Sequence, residues 1–405
     1  MNIAFVHTST AKNIGRGAGY IVSSIPKEHR VKFYDTRGIK PAAVIRKIVG
    51  GSFDILMVSS MTTLWSQAIS IIKGVKASCD IPVLVGGVHP TIMKLQILEQ
   101  FPYIDYVCVG EGESFVKEFL VSYGKDSLFE VPNLIYRSDG KVYTNPIRPP
   151  EDLSTLPRFP WGIFPYKVAG KYIYVNATRG CPFNCPYCCN GVYLKLYKSG
   201  YVRSRPVNQV IEELKYLKTK FEFKLFYFGD DMMFTDLDYV KRLFSAIKEE
   251  VGRPYGCMGR VEYINADLVN FMKSTDCRYV ALGIECGDEN FRKKHLRRSM
   301  TNEQIINAFK LLRAAGISTT SFNVIGWPFV NDDELCKSTV EINRIISPGI
   351  RQVTWFYPFP GTGMYDYCVK NDLIGSKGIK SYHRGSILKM HSKKSDNPND
   401  YLARF

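Results

Sequence analysis

The chain has no run of about 18 apolar residues, the length a membrane-crossing helix needs, so no span is expected in its 405 residues. Its start, MNIAFVHTSTAKNIG, has no charged segment leading into a long apolar core. It reads as a first β-strand rather than a secretory signal, and the expected compartment is the cytoplasm. A disulfide framework is missing too. The eleven cysteines are an odd count, scattered through a chain of this size. In a reducing cytosol, clustered cysteines more often bind metal or do redox chemistry. Acids are in deficit, 38 against 54 lysines and arginines, for a net charge of +16. The basic residues are scattered, with short clusters only at RKKHLRR (292–298) and HSKKS (391–395). A solvated basic surface fits them better than a nucleic-acid site. The charge favours an acidic or phosphorylated small molecule as substrate.

What is present divides into two rhythms. Apolar residues make up 45% of the chain, and its length suffices for two domains with cores. In the first half, NIAFVH (2–7), RVKFYD (30–35), DILMVSS (54–60), PVLVGG (82–87) and DYVCVG (105–110) read as strands. Stretches with apolar residues at three-and-four spacing lie between them. Strands alternating with helices predict a parallel, doubly wound, Rossmann-like α/β sheet. Such sheets bind ligands at the carboxyl ends of their strands. Those ends carry Ser59-Ser60, Gly86-Gly87-Val88-His89 and Gly110-Glu111. Residues 126–168, rich in proline, are expected to be a linker.

From Tyr172 a second rhythm runs through six strand–helix units, with strands expected at 172–178, 223–229, 255–262, 279–285, 318–326 and 351–359. Six units are too few for a closed eight-unit barrel and suit an open, partial one over residues 169–375. Barrels of this type place chemistry at the carboxyl ends of their strands. Residues 376–405 form a basic tail without a strong period, expected as a loose extension or a cap on the barrel mouth.

After the first of these strands comes RGCPFNCPYCCN (179–190), with four cysteines in nine positions. Cys181, Cys185 and Cys188 follow C-x3-C-x2-C. Three thiolates can hold three irons of a four-iron cluster and leave the fourth open. A closed zinc site wants a fourth ligand. Cys189 is near in sequence, but adjoining Cys188 it should point elsewhere.

CPFNCPYC after the first strand of a six-unit βα barrel resembles the radical S-adenosylmethionine (SAM) superfamily. The resemblance implies a [4Fe-4S] cluster on Cys181, Cys185 and Cys188, with SAM chelating the open iron and reductively cleaved to a 5′-deoxyadenosyl radical. It implies an electron donor such as flavodoxin or ferredoxin. It implies SAM contacts at Tyr187, at the acidic turn Asp230-Asp231, and at Arg260, Glu285, Asn323 and Gly326. Cys286 stands where the family usually has serine. Pro358-Phe359-Pro360-Gly361-Thr362 resembles a turn of a narrower group that carries an N-terminal cobalamin-binding domain. Residues 1–125 resemble that domain, which implies cobalamin contacts at Ser59, Ser60, Gly86, Gly87, His89, Gly110 and Glu111. The D-x-H-x-x-G motif of classical cobalamin domains is absent; His7 follows the first strand in a sequence that does not match. No histidine ligand to cobalt is therefore expected, and His89 reads as a tail contact or a structural residue.

The resemblance implies cobalamin-dependent methylation of an unactivated carbon. A dehydratase, a cyclase or another carbon–carbon bond-forming radical enzyme fits the same motifs. A methylthiotransferase needs a second cysteine trio in the first half, which holds only Cys79 and Cys108. A non-enzymatic carrier would leave the acidic turn and Glu285 without purpose. Tyr357, Trp355 and Cys286 are candidates for quenching the product radical, because each is expected near the barrel mouth.

Overall fold

The computed structural model describes residues 1–9, 15–163, 172–329, 332–375, 383, 385–391 and 397–403. The end of the expected linker (164–168), half of the basic tail and the stretch 10–14 after the first strand lie outside the described residues. The chain divides into two compact units, Met1–Tyr166 and Lys167–Phe405.

The first unit is a seven-stranded sheet in the order β2-β1-β3-β4-β5-β6-β7. Its strands are β1 (Asn2–His7), β2 (Arg30–Asp35), β3 (Ile55–Ser59), β4 (Val83–Gly86), β5 (Tyr106–Cys108), β6 (Leu134–Ser138) and β7 (Lys141–Thr144). The first five pair in parallel. Short β-branched runs buried on both faces produce this pattern, and Ile3, Ile55, Val83 and Val107 are all fully buried. The sequence reading of a doubly wound sheet holds. It missed β6 and β7, which lie within the expected linker. They form an antiparallel hairpin that adds to β5. Asp139-Gly140, both at positive φ, makes its two-residue turn. The prolines that suggested a linker follow the hairpin rather than replace it.

The second unit opens with β8 (Tyr172–Val175). A two-residue pair, β9 (Thr178–Arg179) with β10 (Arg203–Ser204), closes the loop that follows. The main sheet continues with β11 (Leu225–Phe228), β12 (Tyr255–Gly259), β13 (Cys277–Glu285), β14 (Ser318–Ile325) and β15 (Ile350–Trp355). Its order is β15-β14-β13-β12-β11-β8, every pair parallel. This is the expected partial barrel. Alternation assigns the faces. Phe228 and Tyr255 turn outward, where Phe244 of the helix Leu237–Ala246 meets Tyr255 at 4.0 Å between ring centroids. Truncating such a fully buried ring costs about 3–5 kcal/mol.

The helices start where the sequence marks them. Asp236, Asn265, Asp288 and Thr362 each accept a backbone N–H three residues on. Thr301 and Gln304 form a reciprocal capping box. Within the expected tail, Leu388 packs into the cluster of Trp327, Phe356 and Met364, whereas the last helix takes another place. The helix Pro398–Leu402 packs on the outer side of β15, with Tyr401 5.2 Å from Trp355 and its hydroxyl donating to Asp333 at 2.7 Å. It covers the back of the sheet rather than the barrel mouth.

Candidate functional site

The cysteine loop leaves β8 under close restraint. Asp230, just past β11, is fully buried. Its Oδ1 accepts the backbone N–H of Ala177 at 2.8 Å, that of Thr178, and the Thr178 hydroxyl at 2.7 Å. Arg205 donates to the Asn176 carbonyl at 2.9 Å and pairs with Glu213. Gly180 turns the chain at φ +93°; a Cβ there would lie 2.4 Å from the Tyr201 carbonyl oxygen. Only glycine fits both constraints. The loop then coils tightly, with Cys188 N–H donating to the Cys185 carbonyl at 3.1 Å. Farther along the chain, the Met364 N–H donates to the Pro186 carbonyl at 2.9 Å and ties the loop to the turn at 358–362.

The three thiols of C-x3-C-x2-C feel one another electrostatically. Burial raises Cys181 to about 11 and also raises Cys185, which Arg298 and Arg260 pull back down. Cys188 is lowered, first by a hydrogen bond from Cys189. Cys189 is raised well above its ordinary value by that bond and by burial. The fourth thiol therefore stays beside Cys188 as a donor rather than turning away. Among the described residues, no three His, Cys, Asp or Glu side chains are grouped to hold a single metal ion; a four-iron cluster calls for a wider set.

Two buried arginines face this loop. Arg260, after β12, lies 3.7 Å from the Phe183 ring centroid and donates to Cys185 Sγ at 3.8 Å. Glu262 pairs with it; despite burial, that pairing holds the Glu262 carboxyl below its usual value. Arg298 donates to the Gly283 carbonyl at 2.6 Å, and to Tyr187 Oη and Glu285 Oε1, each at 3.3 Å. Burial opposes its charge, but Tyr187, Glu285 and Cys185 hold its pKa above normal. Glu285 sits at φ +69° beside an irregularity in the β13–β14 pairing. Such a conformation costs on the order of 1–3 kcal/mol and marks functional positions. Gly283 makes space, since a Cβ there would lie 2.4 Å from Glu285 Oε1. Burial raises the Glu285 pKa, against the pull of Arg298.

Asp231 keeps solvent-accessible surface, yet protein surrounds it closely enough that desolvation raises its pKa. Those two facts together describe a carboxylate lining a concavity. It accepts from the Asn190 side chain and the Gly180 N–H. Tyr187 packs edge-on against Trp327 at 5.4 Å. The structure thus gathers Cys181, Cys185, Cys188, Tyr187, Arg260 and Glu285 in direct or electrostatic contact, and ties Asp231 to the same loop.

Other expected residues fall elsewhere. Asn323 faces the helices, bonded to Ser321 at 3.0 Å and Asn343 at 2.9 Å. Gly326 turns at φ +74° and gives its N–H to Asp332. Cys286 is fully buried among Trp327 and Phe291, with Thr339 at 3.9 Å. Trp355 is buried under Tyr401, so neither it nor Cys286 lies at a mouth. Tyr357 packs tilted against Phe359 at 4.9 Å and keeps some exposure. Sequence reading missed Arg298, taking RKKHLRR for a solvated cluster. Arg292 in the same run is wholly buried and braces the carbonyls of Cys286 and Met300. Both arginines fall on the inward side of a run that composition alone calls surface.

In the first unit, the ends of β3, β4 and β5 bring small residues to one edge. Ser60 N–H donates to the Gly86 carbonyl, and the Ser60 hydroxyl accepts from Thr8 at 2.8 Å. Gly87 turns at φ +96°; a Cβ would meet the Ser60 carbonyl at 2.8 Å and Ser59 Oγ at 3.1 Å. Gly110, at φ +87°, donates to Thr91 Oγ1. Glu111 accepts the Glu151 N–H at 2.7 Å. His89 is committed to Thr62 at 3.2 Å and to the Trp65 ring at 4.7 Å, and burial lowers it to about 4. His89 is thereby held as a neutral, structural imidazole. An edge of serines and glycines at the carboxyl ends fits a bulky ligand that approaches the backbone.

The comparisons agree with this geometry. The radical SAM superfamily model matches residues 175–339, and the B12 binding domain model matches residues 4–120. An uncharacterized methyltransferase of Pyrococcus horikoshii is 27% identical over 376 residues, spanning 90% of this chain and 81% of that protein. The anaerobic magnesium-protoporphyrin IX monomethyl ester cyclase of Rubrivivax gelatinosus is 26% identical over 71% of this chain; the match spans 53% of that protein's length. The methyltransferase TsrM from Kitasatospora setae, with cobalamin and a [4Fe-4S] cluster bound, superposes with a TM-score of 0.73 at 15% identity, over 91% of this chain and 75% of its own. OxsB, with aqua-cobalamin and SAM bound, gives 0.73 at 15% over 94% and 64%. These two likenesses establish the fold.

A cysteine-bearing loop at the head of a partial barrel, matched by that family model, makes the chain a radical SAM enzyme. With the B12 binding domain model matched before the barrel, the chain combines a B12-binding domain with a radical SAM domain. Its cofactors are accordingly a [4Fe-4S] cluster, SAM and cobalamin. Such enzymes need a reductant and a small-molecule substrate. Among the described residues no helix is long and apolar enough to cross a membrane.

Proposed function

We propose that the chain methylates an unactivated carbon of a small molecule in a cobalamin-dependent radical reaction, with flavodoxin or ferredoxin as electron donor. The observation that carries this reading is the trio Cys181, Cys185 and Cys188 on a braced loop, in a chain that also has a small-residue sheet edge suited to cobalamin. Together the three cofactors supply one-electron reducing power, a hydrogen-abstracting radical and a methyl donor. The protein's own part is positioning. Cys181, Cys185 and Cys188 are the cluster ligands, and Cys189 donates a hydrogen bond to one of them. Asp231 and Glu285 present acceptors to the ammonium and hydroxyl groups of SAM. Arg298 holds Glu285 and Tyr187 in place. Arg260 places a cation beside Cys185. Ser59, Ser60, Gly86, Gly87 and Gly110 form the cobalamin edge, with His89 supporting it through Trp65 rather than binding cobalt. Relatives in the comparison carry methyltransferase names, among them a cytidylyl-2-hydroxyethylphosphonate methyltransferase of Streptomyces wedmorensis.

The test is product counting. The reconstituted full chain is incubated anaerobically with SAM, methylcobalamin, dithionite and candidate substrates. Formation of 5′-deoxyadenosine together with S-adenosylhomocysteine and a methylated product supports the proposal. Deoxyadenosine with a dehydrated, cyclised or coupled product and no S-adenosylhomocysteine replaces methyl transfer with another radical reaction. No deoxyadenosine at all overturns both.

A further inference from the structure

We propose that the concave face of the barrel sheet is the substrate seat and takes a flat, conjugated, uncharged ring system; the inference rests on reading the barrel as the seat of a radical reaction. Tyr172 and Tyr174 alternate onto this face from β8, Tyr227 from β11 and Tyr279 from β13. Their neighbours Ile173, Val175, Phe226, Phe228 and Val280 are buried on the other side. Strand register sets Tyr227 beside Tyr174 and Gly256 beside both Tyr227 and Tyr279. Ring centroids lie 5.1 Å apart for Tyr174–Tyr227, 5.6 Å for Tyr227–Tyr279 and 6.4 Å for Tyr172–Tyr279. These are the separations of favourable aromatic pairs. Gly256 lets the rings meet, because a Cβ there would lie 3.0 Å from Tyr279 Cβ and 3.3 Å from Tyr227 Cδ2. The Tyr279 hydroxyl is hydrogen-bonded to Thr320, which fixes that ring.

A packed plug would be buried, yet Tyr172, the first residue of β8, and Tyr174, its third, each keep 40% of their surface exposed. They present aromatic faces to an open concavity, the usual lining of a small-molecule site. Of the residues alternating onto this face in the six strands, Glu285 at the carboxyl end of β13 is the one that is charged, and Arg298 pairs with it. An anion would meet Arg298 there, a guanidinium already paired with Glu285. A cation would meet a carboxylate likewise engaged, since Glu285 at the rim is held by Arg298. What remains is π-surface edged with hydroxyls. The wall also ends where the cysteine loop begins: a Cβ on Gly229 would lie 3.7 Å from Tyr174 Cδ1, and the next residue is Asp230. This seat departs from the anionic substrate that net charge alone suggests.

The probe is 2-naphthol, a flat neutral phenol, titrated into the cluster-reconstituted full chain and followed by its own fluorescence. Decahydro-2-naphthol, which has the same skeleton without a π-face, serves as competitor, and glucose 6-phosphate represents the anions. Saturable naphthol binding that neither competitor displaces is expected. Tyr174→Leu and Tyr172→Leu should each weaken it about tenfold, while Tyr174→Phe should keep it within about twofold, because the aromatic face remains. Displacement by glucose 6-phosphate, equal displacement by the saturated alcohol, binding only near the solubility limit, or equal affinity in the Leu and Phe variants would each overturn the seat. Should a Leu variant fail to fold, the wild-type competition decides alone. Deoxyadenosine production by the wild type is measured separately, so failure of the proposed function and failure of the seat are distinguishable.

Discussion

At the scale of the residue, the cysteine loop separates what sequence shows from what packing adds. C-x3-C-x2-C is local, so its three thiols could be read directly. The role of the fourth could not, because it depends on which way a side chain turns. Cys189 stays within hydrogen-bonding reach of Cys188. Outer hydrogen bonds of this kind tune a cluster without holding it. Cys189→Ala should therefore retain iron near the wild-type level with a shifted reduction potential. Cys181→Ala, Cys185→Ala and Cys188→Ala should each lose the 4Fe signal and all SAM cleavage. Iron analysis and electron paramagnetic resonance check this, and loss of iron in the 189 variant alone would reverse the ligand assignment. Arg298 was illegible for a different reason. Nothing in RKKHLRR distinguishes a buried arginine from exposed lysines. The distinction exists only once Tyr187, Glu285 and the Gly283 carbonyl surround it.

At the scale of the element, the repeating strand–helix units were legible because short apolar strands alternate with helices buried along one side, which writes a period into the chain. NIAFVH and RVKFYD match β1 and β2 residue for residue. The hairpin β6–β7 was hidden because its second strand, KVYT, is mostly exposed and carries little apolar signal. The turn at Gly180 could be anticipated as a glycine but not as an obligatory one. The obligation comes from β10 pairing back onto β9, which brings the Tyr201 carbonyl against it. Gly180→Ala should then cost about 1–3 kcal/mol through the combined φ and contact penalty. The cost falls on the loop that carries the thiols, so iron per chain should drop along with the melting temperature. An unchanged iron content in a folded variant would show that the loop tolerates displacement.

At the scale of the whole molecule, the two units differ in what acid does to them. The first contains two buried imidazoles, His7 and His89. Burial lowers each to about 4 from an ordinary 6.5, against the attraction of Asp35 for His7. A base with a depressed folded-state pKa binds its proton more readily when unfolded. The resulting stabilisation is complete above about 6.5 and is lost as pH falls through about 4. Each imidazole contributes at most about 3 kcal/mol over that window. In the second unit, His295 is lowered by burial and Lys294 but lies nearer the surface. The net charge of +16 adds general self-repulsion on acidification, so the imidazole effect has to be separated from it. His89→Phe does so, because phenylalanine keeps the contact with Trp65 and removes the proton site. Hydrogen-exchange protection of Val83–Met93, corrected for intrinsic rates, should fall steeply in the wild type between pH 6.5 and 4. In the variant the slope should be shallower by about 1.4 kcal/mol per pH unit. Parallel slopes would mean that His89 is solvated in solution, and the Trp65 packing that supports the proposed cobalamin edge would have to be given up with it.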